Sequence, residues 1–514
     1  MEQTLITIRP ELLTLTPEQL AALGPWIWCL GGSLLAMLAA VLFKKWKGIV
    51  PALVIFSAAG AAWCGSALLD SPDQLIFNRM MAVDRLTLVF VVLFAATAIV
   101  TTLSSIKYLD REGLQHPEYY ILMLFSMIGM MCMVSALDLV VVFVALELMS
   151  ISIYVLVGFR RADRRSNEAA VKYFVLGGAA SAVFLYGSAL LYGATGSVNI
   201  ADILSAVKGG QAGSSLLFVL GAALVLFGFF FKVAAVPFHM WMPDVYEGAP
   251  VPVTGYMTTG IKAASFAAFV RVMMGLGYGS GLTDAIQRHI HDLLWVAAAL
   301  TMIVGNVIAL TQVNLKRMLA YSSIAHTGYL LVGILAGPAS GDVYGPIYLY
   351  LLAYTVMNLG AFAVLSVLAG RADSGVNLHD LAGLSKRHPL LAFGMALFLF
   401  SMAGIPPTAG FAAKYLLLSS AVQAGEIVIS VIAVLCSVIS VYYYLRVLVY
   451  MYMREPVGAV VPAGRSWTTS AAVLAMIVLT LQIGILPARV IETAKSISGG
   501  SVNPSAPVGD SAAR

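Results

Sequence analysis

Charge is scarce in this 514-residue sequence: Asp, Glu, Lys and Arg make up 11% of it, against 60% hydrophobic residues. A soluble globular domain carries about 25% charged and about 45–50% apolar residues. There is too little charge here to cover a water-facing surface, so a water-soluble enzyme is excluded. Cysteine is sparse too. Cys29, Cys64, Cys132 and Cys436 stand singly inside apolar blocks with no C-x-x-C spacing, so they are read as small core residues with no metal, cluster or disulfide assigned. No glycine-rich phosphate loop follows a strand, and the chain itself is expected to bind neither nucleotide nor flavin.

What is abundant is apolar sequence in long blocks. A helix needs roughly 20 mostly apolar residues to cross a bilayer of about 30 Å. Fourteen blocks are candidates, near 24–43, 48–69, 85–106, 119–136, 138–158, 169–193, 214–238, 251–275, 293–312, 316–336, 344–369, 389–424, 427–452 and 466–487. The block at 389–424 is too long for one straight span, and all are far too long for barrel strands. The expected fold class is an all-α membrane protein with about 14 transmembrane helices. The first block is followed by more of its kind and reads as a retained span, not a signal peptide. The first 23 residues are expected at the interface and those beyond the last block to be disordered, with no soluble catalytic domain in either tail.

Cytoplasmic loops are enriched in Lys and Arg. Sixteen of these residues fall in odd-numbered connections, among them Arg160, Arg161, Arg164 and Arg165 after span five, and four fall in even-numbered ones. Odd loops are therefore expected to face the cytoplasm and both termini the opposite side. The net charge of +5 is read as topology, not as a sign of an anionic partner.

IYVLVG (153–158) in span five recurs as GYLLVG (328–333) in span ten, displaced by 175 residues, and Tyr173 and Tyr348 share that displacement. A shift of five spans is odd, so a real repeat must be inverted, as in transporters that place ion sites at broken helices. Two segments look broken in corresponding places: KVAAVPFHMWMPDVYEGAP, with Pro237, Pro243 and Pro250, after span seven, and AGIPPTAGF, with Pro406 and Pro407, in span twelve. Proline removes a backbone donor and clashes with the preceding turn. Either break alone is equally a packing kink. Both together, five spans apart, favour breaks that line a buried cavity.

A few charges lie inside the apolar blocks: Glu147 in span five, Lys232 in seven, Lys262 in eight, Lys414 in twelve and Arg446 in thirteen, with Lys172 one turn into span six and His326 in the middle of ten. A charge at the bilayer centre costs at least about 2.5–3.5 kcal/mol, so such residues usually serve ion or proton pathways. Lysine and glutamate out of water exchange protons nearer neutral pH than in it, and histidine titrates there unaided. Bland readings stand beside this one. Lys172 is also placed to snorkel to the surface, and Arg446 is better read as a helix anchor. His326 is equally a hydrogen-bonded packing residue, and the four deep charges could be structural ion pairs. His239 and Asp244, beside the first break, are read as cap or loop-ordering groups.

The segments ELMSISIYVLVG (147–158), RSNEAAVKYFVLGG (165–178), FKVAAVPFHMWMPDVYEGAPVPV (231–253), NLKRMLAYSSIAHTGYLLVG (314–333) and GIPPTAGFAAKY (404–415) carry a resemblance. From about span three to span thirteen the sequence resembles the antiporter-like subunits of proton-pumping NADH-quinone oxidoreductase (respiratory complex I). The N type, counterpart of subunit 2 of the plastid and cyanobacterial NDH complex, fits best. Lys414 argues against the M type, which has Glu there, and the short tail against the L type. The first two spans are poorly matched.

The resemblance implies two inverted five-helix repeats with helices seven and twelve discontinuous. It divides the chain into 1–114 (spans one to three), 115–280 (first half, spans four to eight), 281–456 (second half) and 457–514 (span fourteen and the tail). It implies a relay in which Glu147 and Lys232 form the first half-channel pair, Lys172 is the span-six lysine, Lys262 and His326 lie on the central axis, and Lys414 is the span-twelve lysine. It implies a translocase subunit without a redox centre, with NADH, FMN, iron–sulfur clusters and quinone in partner subunits. Its expected partners are neighbouring membrane and peripheral subunits and the lipid bilayer, with no nucleic acid. The expected location is the cell inner membrane, or the thylakoid for a cyanobacterial or plastid protein. The rival expectation is a cation/proton antiporter or membrane-bound hydrogenase subunit, and a third is a structural spacer.

Overall fold

Inside a bilayer the backbone has no water to bond, so each apolar run satisfies its own amides as a helix. The computed structural model describes residues 15–43, 48–210, 213, 215–456 and 466–500. In chain order the helices are α1 (Pro17–Ala22), α2 (Gly24–Leu42), α3 (Ile49–Ala67), α4 (Arg85–Glu112), α5 (Pro117–Ser135), α6 (Leu139–Val157), α7 (Arg164–Thr195), α8 (Ile200–Lys208), α9 (Leu216–Val233), α10 (Trp241–Gly248), α11 (Val251–Tyr256), α12 (Lys262–Gly275), α13 (Asp284–Ala309), α14 (Leu315–Ser340), α15 (Tyr344–Leu368), α16 (Leu384–Arg387), α17 (Pro389–Ala403), α18 (Ala409–Gln423), α19 (Ile427–Met453), α20 (Trp467–Ile485) and α21 (Pro487–Gly500).

Twelve described helices are long and apolar enough to cross a membrane. Two more crossings are composite. α11 and α12 are joined by a π turn over Met257–Ile261, and α17 and α18 by the break at Gly404–Thr408. This gives the fourteen expected spans. The centre of the bundle is α14, with 94% of its apolar stretch buried, whereas α20 has 33% and lies at the rim.

The inverted repeat is visible in the backbone. Asp138, the N-cap of α6, pairs as an isolated β-bridge with Asn199 beyond α7; Asn314, the N-cap of α14, pairs in the same way with Asn377 beyond α15. Each bridge ties the start of one span to the end of the next. The first lies on the side of the even connections and the second on the side of the odd, basic ones, as inversion requires.

One expectation needs correction. The residues after the last span were expected to be disordered, but Pro487–Gly500 form α21. Proline at its first position suits a helix start, and Val490, Ile491, Ala494 and Ile497 recur on one face, with Ala494 and Ile497 buried. The remaining tail from 501, the first 14 residues, and Lys44, Lys45, Lys47 and Arg465 of the charge bias lie outside the described residues. The all-α fold carries a short antiparallel hairpin, β1 (Gln74–Ile76) and β2 (Met81–Val83), whose turn holds Phe77, Asn78 and Arg79 at positive φ.

Candidate functional site

The first break frees carbonyls at the end of α9, and side chains from its neighbours take them up. Trp241 Nε1 donates to the Phe231 carbonyl (3.0 Å) and Thr327 Oγ1 to that of Val233 (2.7 Å), while Val236 N–H donates to Thr301 Oγ1 (2.9 Å). Buried backbone groups must find such partners, so the break is held open by α10, α13 and α14. Lys232 lies in the last turn of α9, where the negative end of the helix favours a cation. Its ammonium donates to Ser150 Oγ (2.8 Å) and stands 5.9 Å from the rings of Tyr154 and Tyr173. Glu147 lies three residues before Ser150 on α6, on the same helix face. Its Oε1 is buried without a hydrogen-bond partner, and its charge acts on Lys232 through space.

Lys262 follows directly on the π turn, a feature often found at functional sites. It donates to the carbonyl (2.5 Å) and hydroxyl (2.6 Å) of Ser323 and to Thr327 Oγ1 (2.9 Å), and lies 5.3 Å from the Tyr354 ring. Tyr354 OH donates to the same Ser323 Oγ (2.7 Å). His326, one turn further along α14, meets Tyr350 OH at Nδ1 (2.7 Å) and Tyr444 OH at Nε2 (3.5 Å), and its ring lies 5.0 Å from that of Tyr354. A small cavity of about 10 Å³ touches both Lys232 and Lys262, about the space of one water.

Lys414 serves the second break. Its ammonium donates to the Met402 (2.9 Å) and Ala403 (3.2 Å) carbonyls freed at the end of α17 and to Ser437 Oγ (2.9 Å), and stands 5.1 Å from the Tyr329 ring. The repeated hexapeptide thereby acquires a meaning. Tyr154 in the first copy and Tyr329 in the second each lie over the lysine of their own broken helix, where a ring face attracts a cation. The match does not extend to Tyr348, which packs edge-on against Phe90, whereas Tyr173 stacks on Trp241. Lys232, Lys262, His326 and Lys414 are each at most 7% exposed.

Lys172 stands apart from this line. It is 41% exposed and paired with Glu168 (2.7 Å) and Asp244 (2.8 Å) at the basic-loop face. Asp244 also binds Arg317 (2.8 Å), which binds Glu247 as well (2.9 Å). Asp244 thus belongs to an ion network more than to a cap. Arg446 anchors the end of α13, as expected, through the Leu310 (2.8 Å) and Gln312 carbonyls. His239 is buried with Nδ1 unpartnered.

Two charged clusters escape a reading of the sequence. Arg271 on α12 and Asp84, the N-cap of α4, are both buried and paired at 2.9 Å. At the basic-loop face Asp373 accepts from Tyr108 OH (2.6 Å), Lys316 (2.7 Å) and Arg160. Burial alone would raise the Asp373 carboxyl, yet the Lys316 and Arg160 charges hold it below its ordinary value. The serine and tyrosine partners of the lysines were equally invisible. Only the recurrence of tyrosine in the repeat hinted at three of them, Tyr154, Tyr173 and Tyr329.

The family described as NADH:quinone oxidoreductase/Mrp antiporter matches residues 136–440. The chain is 46% identical over 424 residues to the NADH-quinone oxidoreductase subunit N of Trichlorobacter lovleyi, covering 82% of this chain and 84% of the relative. It is 39% identical over 521 residues to subunit N of Myxococcus xanthus, covering 95% and 98%. Among solved structures it superposes on a chain of respiratory complex I from Thermus thermophilus with bound Aureothin, with TM-score 0.76 and 35% identity over 91% of this chain and 98% of that one. A chain of the Mrp complex from Dietzia sp. shares the fold at TM-score 0.81 with 21% identity, over 93% and 97%.

Proposed function

The chain belongs to the subunit N family of NADH-quinone oxidoreductases, and from that premise we propose that its buried lysines pass protons sideways through the membrane from Glu147 to Lys414. It is a proton-translocating membrane subunit that works within a larger complex. NADH, FMN, iron–sulfur clusters and quinone are assigned to partner subunits. The basic-loop face is assigned to the cytoplasm and both termini to the opposite side of the cell inner membrane. The halves 115–280 and 281–456 are the two working units, flanked by 1–114 and 457–514.

The observation that carries this reading is the line of buried polar contacts. A change of charge or position at Glu147 alters the field on Lys232, whose proton is otherwise held by Ser150. The small cavity shared with Lys262 is a way forward. From Lys262 the hydroxyls of Ser323 and Tyr354 lead towards His326, whose ring lies 5.0 Å from that of Tyr354 and whose two nitrogens face the hydroxyls of Tyr350 and Tyr444. Imidazole accepts at one nitrogen and donates at the other, the requirement for handing a proton on. Tyr329 lies between His326 and Lys414, with ring distances of 5.8 Å and 5.1 Å, and its buried hydroxyl makes no protein hydrogen bond. That leaves it open to a bridging water. Lys172 acts at the mouth of this path, not on its axis.

The test is Glu147→Gln or Lys232→Gln in the assembled complex. The expected result is fewer protons moved per electron; undiminished pumping by both variants rejects the relay.

A further inference from the structure

Lys232 donates to Ser150, and Lys262 donates to Ser323 and Thr327. The space that both lysines line is the small cavity of about 10 Å³, which takes one water. Tyr246, buried on α10, lines the same cavity. Its hydroxyl faces the side chains of Thr258, in the π turn, and of Ser323, on α14.

The other lining groups have less to offer a proton. Met242, Met257 and Ile261 are apolar, Trp241 gives its Nε1 hydrogen to the Phe231 carbonyl, and the Tyr173 ring is stacked against Trp241. Tyr246 borders the cavity on one side and, on the other, Ser323, the group that holds Lys262.

Tyr246 is also the acceptor that the hydrogen count around Ser323 requires. A serine hydroxyl has one hydrogen and two acceptor sites. With Lys262 charged, its three hydrogens go to the Ser323 carbonyl, Ser323 Oγ and Thr327 Oγ1. Ser323 Oγ also accepts from Tyr354 OH, so both its acceptor sites are filled and its own hydrogen turns to the Tyr246 oxygen. The Tyr246 hydrogen turns to Thr258 Oγ1, whose own hydrogen is spent on the Thr254 carbonyl (2.7 Å). With Lys262 neutral, two hydrogens stay with the Ser323 carbonyl and Thr327, and the nitrogen lone pair takes the Ser323 hydrogen. Ser323 Oγ then accepts from Tyr354 and Tyr246, and the Tyr246 oxygen is open to the cavity. Each group is satisfied in both arrangements, which differ by the rotation of two hydroxyls.

We infer that Tyr246 is a further catalytic residue of the relay, whose hydroxyl carries the proton from Lys232 to Lys262 by way of Ser323. The inference rests on the reading of both lysines as relay groups. Only protons move. Lys232 gives one to a water in the cavity, the water gives one to the Tyr246 oxygen, Tyr246 gives its own to Ser323 Oγ, and Ser323 gives its own to Lys262. Lys232 ends neutral and Lys262 ends as an ammonium, while the water and both hydroxyls keep their hydrogen count. The Tyr246 oxygen is then occupied by the Ser323 hydrogen, so a second proton waits until Lys262 has handed on the first.

Tyr246→Phe keeps the ring and removes the hydroxyl. It is compared with Lys232→Gln, with Ser323→Ala, with the Tyr246→Phe/Lys232→Gln double variant, and with Tyr256→Phe. The last removes a buried hydroxyl that donates to the Met123 carbonyl and has no part in the cavity. Protons moved per NADH oxidised are measured for each assembled complex in reconstituted vesicles. The expected result is that Tyr246→Phe and Ser323→Ala each lose as much of the ratio as Lys232→Gln, that the double variant loses no more, and that Tyr256→Phe keeps the parent ratio. Groups of one chain are non-additive in this way, whereas independent structural damage adds. A parent ratio in Tyr246→Phe, an equal loss in Tyr256→Phe, or a double-variant loss equal to the sum of the single ones overturns the inference. If Tyr246→Phe does not assemble, Ser323→Ala decides, since it breaks the chain at the next oxygen; a parent ratio there overturns the inference too. In each of these cases an impaired Lys232→Gln leaves the relay standing. A parent ratio in Lys232→Gln overturns the relay, and the inference with it.

Discussion

Lys232 and Lys414 solve the same problem from opposite sides of a helix break. Lys232 closes the helix that ends at its own break, with Ser150 as its hydrogen-bond acceptor, whereas Lys414 starts beyond its break and reaches back to the carbonyls of the preceding half-helix. The position matching Glu147 at the repeat displacement is Ser322, which binds Tyr444, so only the first half carries its own carboxylate. A hydrogen bond to a charged group contributes about 1.5–3 kcal/mol. Ser150→Ala should therefore unsettle the Lys232 ammonium by that order and slow proton transfer while the complex still assembles. Pumping rate against electron-transfer rate in vesicles checks this; equal rates in variant and parent would make Ser150 a mere neighbour.

At the scale of elements, the two breaks position the site, and each depends on backbone geometry. Gly404 ends α17 at φ +86, and a Cβ there would lie 3.0 Å from the Lys414 side chain. A left-handed non-glycine residue costs roughly 1–2 kcal/mol, so Gly404→Ala should lower the thermal stability of the complex and shift Lys414 from its carbonyls. A melting curve alongside a pumping assay detects both effects. The breaks were legible in the sequence, because proline cannot continue a helix and two proline-rich interruptions five spans apart point to a repeat. So were the deep charges, because a charge inside an apolar block is costly enough to stand out. The π turn before Lys262 left no trace in residue type. Arg271 lies near the end of its apolar block, where an anchoring arginine is ordinary, and its partner Asp84 caps the start of a different span. Pairings of that kind are made by packing, and no spacing along one chain encodes them. The helix α21 was hidden by its polar composition, although Val490, Ile491, Ala494 and Ile497 keep helical spacing.

Over the whole molecule, two ion clusters flank the first turn of α14. Lys316 joins Asp373, Arg160 and Tyr108, while Arg317 joins Asp244 and Glu247. They tie the first inverted half to the second at the basic-loop face. Removing one partner of a buried ion cluster costs about 3–5 kcal/mol, so Asp373→Asn should loosen the halves and lower stability by that order, as read from thermal unfolding. The pH dependence has a defined sign. The folded Asp373 carboxyl is held below its ordinary value, so its stabilisation is whole above an unfolded value of about 3.9. It is lost as the pH falls through the folded one. The parent should therefore lose stability on acidification below about pH 4, and Asp373→Asn should lose less over that interval.

Lys262 is the junction of the two halves, since its ammonium meets Ser323 and Thr327 of the second while its own helix belongs to the first. The most direct test of lateral proton passage is the number of protons moved per NADH oxidised by the reconstituted complex carrying Lys262→Met, which keeps the side chain's bulk and removes its proton. The relay predicts a lower ratio than the parent in a fully assembled complex. A ratio equal to the parent's would contradict it.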